Sequence, residues 1–177
     1  MTQTKIKSFA KLNLALNITG KNFSLHKIES IVAFISLYDE IFIKKIKSKS
    51  HNVLFTGEFS QNIQKNNTVS KLLKILEKKK LLKNRKFRIR IKKQIPTQAG
   101  LGGGSMNAAS ILRYFEKKKI IKVNKKEIMT ISREIGSDVI LGLKCKNSIL
   151  NSKNKIKYFP KCKTLYTLIV KPNFGCS

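Results

Sequence analysis

The sequence predicts an α+β fold, strands with helices packed on them, and three observations carry that reading. Apolar and polar residues alternate over residues 11–18 and again over 86–93, the period of a half-buried strand. Apolar residues recur at helical spacing after Thr68 (Val69, Leu72, Leu73, Leu76) and after Ser105 (Ala108, Ala109, Ile111, Leu112, Phe115). Between the second of these strands and the second of these helices stand four glycines in five residues, Gly100, Gly102, Gly103 and Gly104. A chain of 177 residues, 41% of them hydrophobic, suffices for one full domain with a core and a remainder beyond it.

In the first strand Leu12, Leu14, Leu16 and Ile18 are expected to face the core, and Lys11, Asn13, Ala15 and Asn17 to face away. That period sets the Lys11 ammonium beside the Asn13 amide. Residues 19–27 read as a turn, and 28–37 and 40–46 as two strands separated by a polar break around Asp39. The polar stretch 51–67 reads as a connection, and Thr68 is the candidate cap of the first helix. In the strand over 86–93, Phe87, Ile89 and Ile91 point inward and Arg88, Arg90 and Lys92 outward. A further helix is expected over about 125–135, opened by Asn124 with Glu127 three residues on and stopped by a left-handed Gly136. Residues 144–163 are polar and poorly patterned, and 166–170 read as a last strand. A strand so near Ser177 leaves a sheet edge with no obvious neighbour, so the chain is expected to be incomplete.

Composition narrows the function classes. The net charge of +29 attracts polyanions, but it runs from Lys5 to Lys171 without aromatics interleaved in Lys44-Lys45-Ile46-Lys47 or Lys78-Lys79-Lys80. It is therefore read as a solvated surface, with nucleic acid not expected as partner. No stretch approaches the roughly 20 apolar residues of a membrane span, and the N-terminus lacks the apolar core of a secretory signal. A soluble cytoplasmic protein with no membrane partner is expected. Cys145, Cys162 and Cys176 are odd in number and fit neither a disulfide framework nor a zinc spacing, so they are expected to be reduced structural thiols.

The chemistry is expected at the glycines. Glycine takes backbone conformations closed to other residues and lets amide groups approach a ligand without a Cβ in the way. A helix that starts directly afterwards aims its free N–H groups and positive dipole end at the same place, so polyphosphate is the natural occupant. No Lys-Ser or Lys-Thr follows the last glycine, and the spacing is not Gly-x-Gly-x-x-Gly, so neither common nucleotide fingerprint applies.

The run Pro96, three residues, then Gly100-Leu101-Gly102-Gly103-Gly104-Ser105 resembles the signature of the GHMP kinases. Ala10-Lys11-Leu12-Asn13-Leu14, a turn holding His26, Asn67-Thr68-Val69 at a helix start, and Ile135-Gly136-Ser137-Asp138-Val139 agree in order, so the likeness spans essentially the whole chain. With its exit Asn107-Ala108-Ala109, the glycine run is most similar to members that act on a cytidyl diphosphate sugar alcohol of the non-mevalonate isoprenoid pathway. The resemblance implies a GHMP-kinase N-terminal domain, a mixed β-sheet with packed helices, over residues 1–150 and the start of an incomplete C-terminal domain over 151–177. It implies transfer of the γ-phosphate of ATP, with Mg²⁺, to a hydroxyl of that small-molecule substrate.

Carried over, Asp138 is the general base and Lys11 stabilises charge on the reacting groups. Pro96, Gly100, Leu101, Gly102, Gly103, Gly104 and Ser105 bind the nucleotide, with Asn67 near its adenine. Asn13 and His26 hold the cytidyl substrate, and no side chain is assigned as a metal ligand. The residues by themselves leave Asp138 open between a base and a surface-turn aspartate, and Lys11 between a charge stabiliser and a solvated strand lysine. Two positions differ from the family pattern. Ser24-Leu25-His26 is one residue shorter and has Leu25 where an aromatic stacks on cytosine, which opens the alternative of another small alcohol as substrate. Met106 replaces a common serine, and its effect depends on the face it occupies. A basic RNA-binding module, the competing class, suits the charge but has no need of four glycines before a helix start.

Overall fold

The computed structural model of the chain describes residues 2–22, 25–153, 155–159 and 164–170, without the side chains of residues 21, 22, 25 and 26. Its sheet is organised on one long antiparallel hairpin, β1 (Thr4–Asn22) and β2 (Leu25–Ile46). β1 runs along one edge of β2. The other edge of β2 takes two partners, β4 (Lys86–Lys92) beside residues 40–46 and β5 (Ser148–Leu150) beside residues 30–32, both antiparallel. β3 (Asn52–Thr56) adds a parallel edge next to β4, and β6 (Ile156–Tyr158) extends the other end through β5. The sheet is thus mixed, as expected from the sequence.

Helices α1 (Thr68–Lys78), α2 (Gly103–Lys117) and α3 (Lys125–Ile135) form the second layer, and a short α4 (Val139–Gly142) follows. Ile41 and Ile43 of β2 and Phe87, Ile89 and Ile91 of β4 meet Val69, Leu72, Leu73 and Leu76 of α1 and Ala108, Ile111, Leu112 and Phe115 of α2 in one buried cluster. The two periodicities read in the sequence are the two halves of this interface. Arg88, Arg90 and Lys92 point out of the opposite face, as their alternation predicted.

Several expectations need correction. The two strands over 28–37 and 40–46 are one strand, with Asp39 inside it. The expected turn over 19–27 continues both hairpin strands to Asn22 and from Leu25. The connection over 51–67 contains β3. Asn67, rather than Thr68, caps α1, its Oδ1 accepting from the amides of Val69 and Ser70. The capping box of Asn124 and Glu127 is present, but Gly136 ends α3 in an extended conformation (φ 173°) that any residue can adopt. Residues 166–170 form no strand.

The largest correction concerns the face of β1. Leu14, Leu16 and Ile18 are 59%, 55% and 67% exposed, whereas Lys11 is 6% exposed. Ala15 and Asn17 on the opposite face are exposed as well, so residues 14–18 stand clear of the core on both faces, and the register of β1 shifts between Phe9 and Lys11, between Asn13 and Ala15, and between Ile18 and Gly20. Just past the first break, where Lys11 pairs with Phe34, the Lys11 amide donates to Leu101 O (3.1 Å). That bond ties Lys11 to the glycine run.

Candidate active site

The glycine run follows β4 and passes directly into α2. Gly102 stands at the N-cap with φ 65° and ψ 15°, offers no side chain to the helix, and is followed by a first turn without acidic residues. The first amides of a helix have no intrahelical acceptor, so those of Gly103, Gly104 and Ser105 are left to a ligand or solvent. The other two long helices differ, since Asn67 and Asn124 side chains occupy the amides at their starts. Two tethers beyond the helix hold the run. Leu101 is buried and its carbonyl receives the Lys11 amide, while Thr68 Oγ1 donates to Gly104 O (2.7 Å) and so joins the starts of α1 and α2.

Lys11 lies flat against this turn. A Cβ built on Gly102 would stand 2.9 Å from Lys11 Cγ and 3.0 Å from Cε, so the missing side chain is what admits the lysine stem. The Lys11 ammonium reaches Asp138 Oδ2 at 3.2 Å and also donates to Asn13 Oδ1. Asn13 Nδ2 in turn donates to Ser30 Oγ (2.7 Å), whose own proton goes to Ala15 O (2.7 Å). One chain of contacts, Ser30 to Asn13 to Lys11 to Asp138, therefore fixes the amide and the ammonium. Asp138 sits at the start of α4 with no capping bond, and its side chain remains 33% exposed. A cation held by neutral partners beside an accessible carboxylate, next to a set of free amides, suits a reaction that brings an anionic group to a hydroxyl.

The structure brings together Lys11, Asn13, Asp138 and the run from Gly100 to Ser105. Pro96 stands between β4 and that run, half-buried. Asn67 is at the helix start beside Gly104, but its carbonyl is committed to the cap and its amide donates to Gln64 O (2.9 Å). The backbone of His26 pairs with Lys21, and its side chain lies outside the described residues, as does that of Leu25. Met106 is 2% exposed and packs with Val32, Ile140 and Leu141, so it faces the core and away from the free amides. Ser30 was not singled out by the sequence reading. A serine in a long strand carries no local signal, and only the pairing of β1 with β2 reveals its partner.

Comparison with known proteins places this geometry in context. Residues 67–149 match the family described as GHMP kinases N terminal domain. Over all 177 residues the chain is 56% identical to a 4-diphosphocytidyl-2-C-methyl-D-erythritol kinase of Pelagibacter ubique (strain HTCC1062), covering 63% of that protein. Over 139 residues, 76% of this chain and 51% of the relative, it is 37% identical to a kinase of the same description from Ureaplasma parvum serovar 3. It thus spans between half and two thirds of the length of these curated relatives. In fold it is similar to a crystal structure of 4-(cytidine 5'-diphospho)-2C-methyl-D-erythritol kinase, with a TM-score of 0.69 at 24% identity, covering 88% of this chain and 55% of that one.

Proposed function

We propose that this chain is a GHMP kinase and carries the nucleotide-binding and catalytic part of a cytoplasmic 4-diphosphocytidyl-2-C-methyl-D-erythritol kinase. The reaction is transfer of the γ-phosphate of ATP to the 2-hydroxyl of 4-diphosphocytidyl-2-C-methyl-D-erythritol, in the non-mevalonate isoprenoid pathway. One observation carries the reading: the Lys11 to Asp138 ion pair of 3.2 Å lies against the uncapped start of α2.

The residues suit a polyphosphate, since the first amides of α2 carry no cap, Gly102 admits the Lys11 stem beside them, and no acidic residue stands in the first turn. MgATP, when bound, supplies the transferable phosphoryl group and the counter-charge for it. The amides of Gly103, Gly104 and Ser105 would hold phosphate oxygens, and Asn67 would stand near the adenine in this reading. Asp138 would take the proton of the attacking hydroxyl as its oxygen bonds to the γ-phosphorus and the bond from that phosphorus to the β,γ-bridging oxygen breaks, releasing ADP. Lys11, steadied by Asn13, offsets negative charge gathering on the oxygens. Asn13 and His26 bind the cytidyl substrate in this reading.

The test uses the chain with MgATP and the cytidyl diphosphate substrate, comparing wild type with Asp138→Asn. Turnover is expected to fall by about 10²-fold or more, the scale of general base catalysis, with MgATP affinity within about threefold of wild type. Equal turnover in both proteins removes Asp138 as base. Turnover of another small alcohol but not of the cytidyl compound would change the substrate and keep the kinase. Salt-dependent RNA binding without nucleotide binding would favour the rival module.

A further inference from the structure

The glycine run has little means of holding its own shape. Gln98, Gly100 and Gly102 take φ of 55°, 69° and 65°, and glycine loses more conformational freedom on ordering than other residues. What fixes its entrance and exit lies beneath it. Asp39, fully buried in the middle of β2, accepts from the amide of Gln94 (2.8 Å) and the amide of Ile95 (2.9 Å) through Oδ1. Its Oδ2 accepts from Asn107 Nδ2 (2.9 Å) and from the Lys93 ammonium. Lys93 and Asn107 are 4% and 1% exposed, so the whole cluster is shut off from solvent.

The placement of these donors is what matters. Gln94 and Ile95 are the last residues before Pro96, which has no amide proton to offer. Asn107 lies in the first turns of α2, just past Ser105. One carboxylate therefore grips the chain on both sides of the run, and Lys93 Nζ comes within 3.1 Å of where a Cβ on Gly103 would be. Ser8, directly opposite Asp39 in the β1–β2 ladder, belongs to the strand that also carries Lys11.

We propose that Asp39 is a positioning residue for nucleotide binding, its carboxylate setting the glycine run at the start of α2 in a phosphate-accepting shape. The proposal rests on the kinase reading and adds to it a residue that touches neither nucleotide nor substrate. The alternative is a buried ion pair that serves the core alone, and such a pair can be exchanged for apolar residues with little loss of stability. The two accounts part on the amides of Gln94 and Ile95.

Two double variants and one measurement on the wild type decide between them. Asp39→Asn with Lys93→Met removes both charges but keeps an acceptor for the two amides. The new amide nitrogen takes the place of Oδ2, and the Asn107 amide turns over to accept from it through Oδ1, which is buried without a partner in the wild type. Asp39→Leu with Lys93→Met keeps a packed interior and removes the acceptor. By calorimetric titration with MgATP, the Asn/Met protein is expected to bind within about threefold of wild type and the Leu/Met protein at least tenfold more weakly, since small misplacements of a preorganised site cost that much or more. Equal affinity in the two folded variants overturns the proposal, as does equal loss in both. Should the Leu/Met protein not fold, amide hydrogen exchange on the wild type decides. The Gln94 and Ile95 amides are expected to exchange as slowly as those of β4, and exchange as fast as that of Gln98 overturns the tether. Failure of the wild type to bind MgATP removes the kinase reading instead, and leaves the exchange rates to judge the tether by themselves.

Discussion

Gly100 and Gly102 are indistinguishable in the sequence and both take positive φ, yet the two positions tolerate change differently. A Cβ on Gly100 meets nothing within 4 Å, so Gly100→Ala adds only the strain of a left-handed residue, about 1–2 kcal/mol. At Gly102 the same strain is joined by overlap with the Lys11 stem. Gly102→Ala is expected to cost more than Gly100→Ala in denaturant melts and to weaken MgATP binding by tenfold or more, because it displaces Lys11 as well as the turn. Equal binding losses in the two variants would separate Lys11 from the nucleotide. At this scale the sequence reading found residues whose neighbours in the chain announce them. The nearness of Lys11 and Asn13 follows from a strand period, and Asp138 was picked out through its motif. Ser30 and Asp39 were missed because their partners lie 17 residues away in one case and 54 to 68 in the other. Asp39 was even read as a break, since a charged residue between two apolar runs looks like a turn until its four donors are seen.

Helices α1 and α3 and strand β4 were legible because each is one uninterrupted period with its apolar face on the core. The hairpin was not, because its register shifts sit where no residue type advertises them. The corner where α1 ends against β3 and β4 adds a pH dependence. His51 Nδ1 accepts from the Phe87 amide (3.0 Å), its Nε2 stands 3.2 Å from Glu77 Oε1, and Glu77 also receives the Lys86 ammonium. Burial pushes His51 below its ordinary value of 6.5, against the pull of Glu77. The hydrogen bond from Lys86 holds the Glu77 carboxyl below its ordinary 4.5. In both cases the unfolded chain binds the proton before the folded one, so stability falls as the pH falls. The His51 part is lost from pH 6.5 downward and the Glu77 part from 4.5 downward. Thermal melts between pH 7 and 5.5 should show a declining midpoint, and His51→Gln should flatten that decline; an unchanged slope would remove His51 as its source. At the start of α3, Asn124→Ala should cost about 1 kcal/mol in the same melts without touching nucleotide affinity, since the capping box serves the helix alone.

The molecule as a whole carries +29, and the structure shows how that charge is arranged. The outer face of the sheet does interleave cations with aromatics, Arg90 over the Phe42 ring at 4.3 Å and Lys7 over Tyr38 at 4.2 Å. That pattern would suit stacked bases, yet the rings are already covered by the protein's own cations. Exposed lysines are as dense elsewhere, at Lys78, Lys79 and Lys80 where α1 ends, at Lys117, Lys118 and Lys119 where α2 ends, and at Lys125 and Lys126 opening α3. Charge distributed over both layers attracts a polyanion through the number of counterions it displaces rather than through one surface. Two variants that each remove two charges test this, Arg88→Ser with Arg90→Ser on the sheet face and Lys117→Ser with Lys118→Ser on the helix side. On a heparin column both are expected to elute earlier than wild type and at the same salt concentration as each other, with MgATP affinity unchanged in both. A larger shift for the sheet variant would mean that the arginines and Phe42 form a polyanion site of their own, and that the basic composition has been put to a second use.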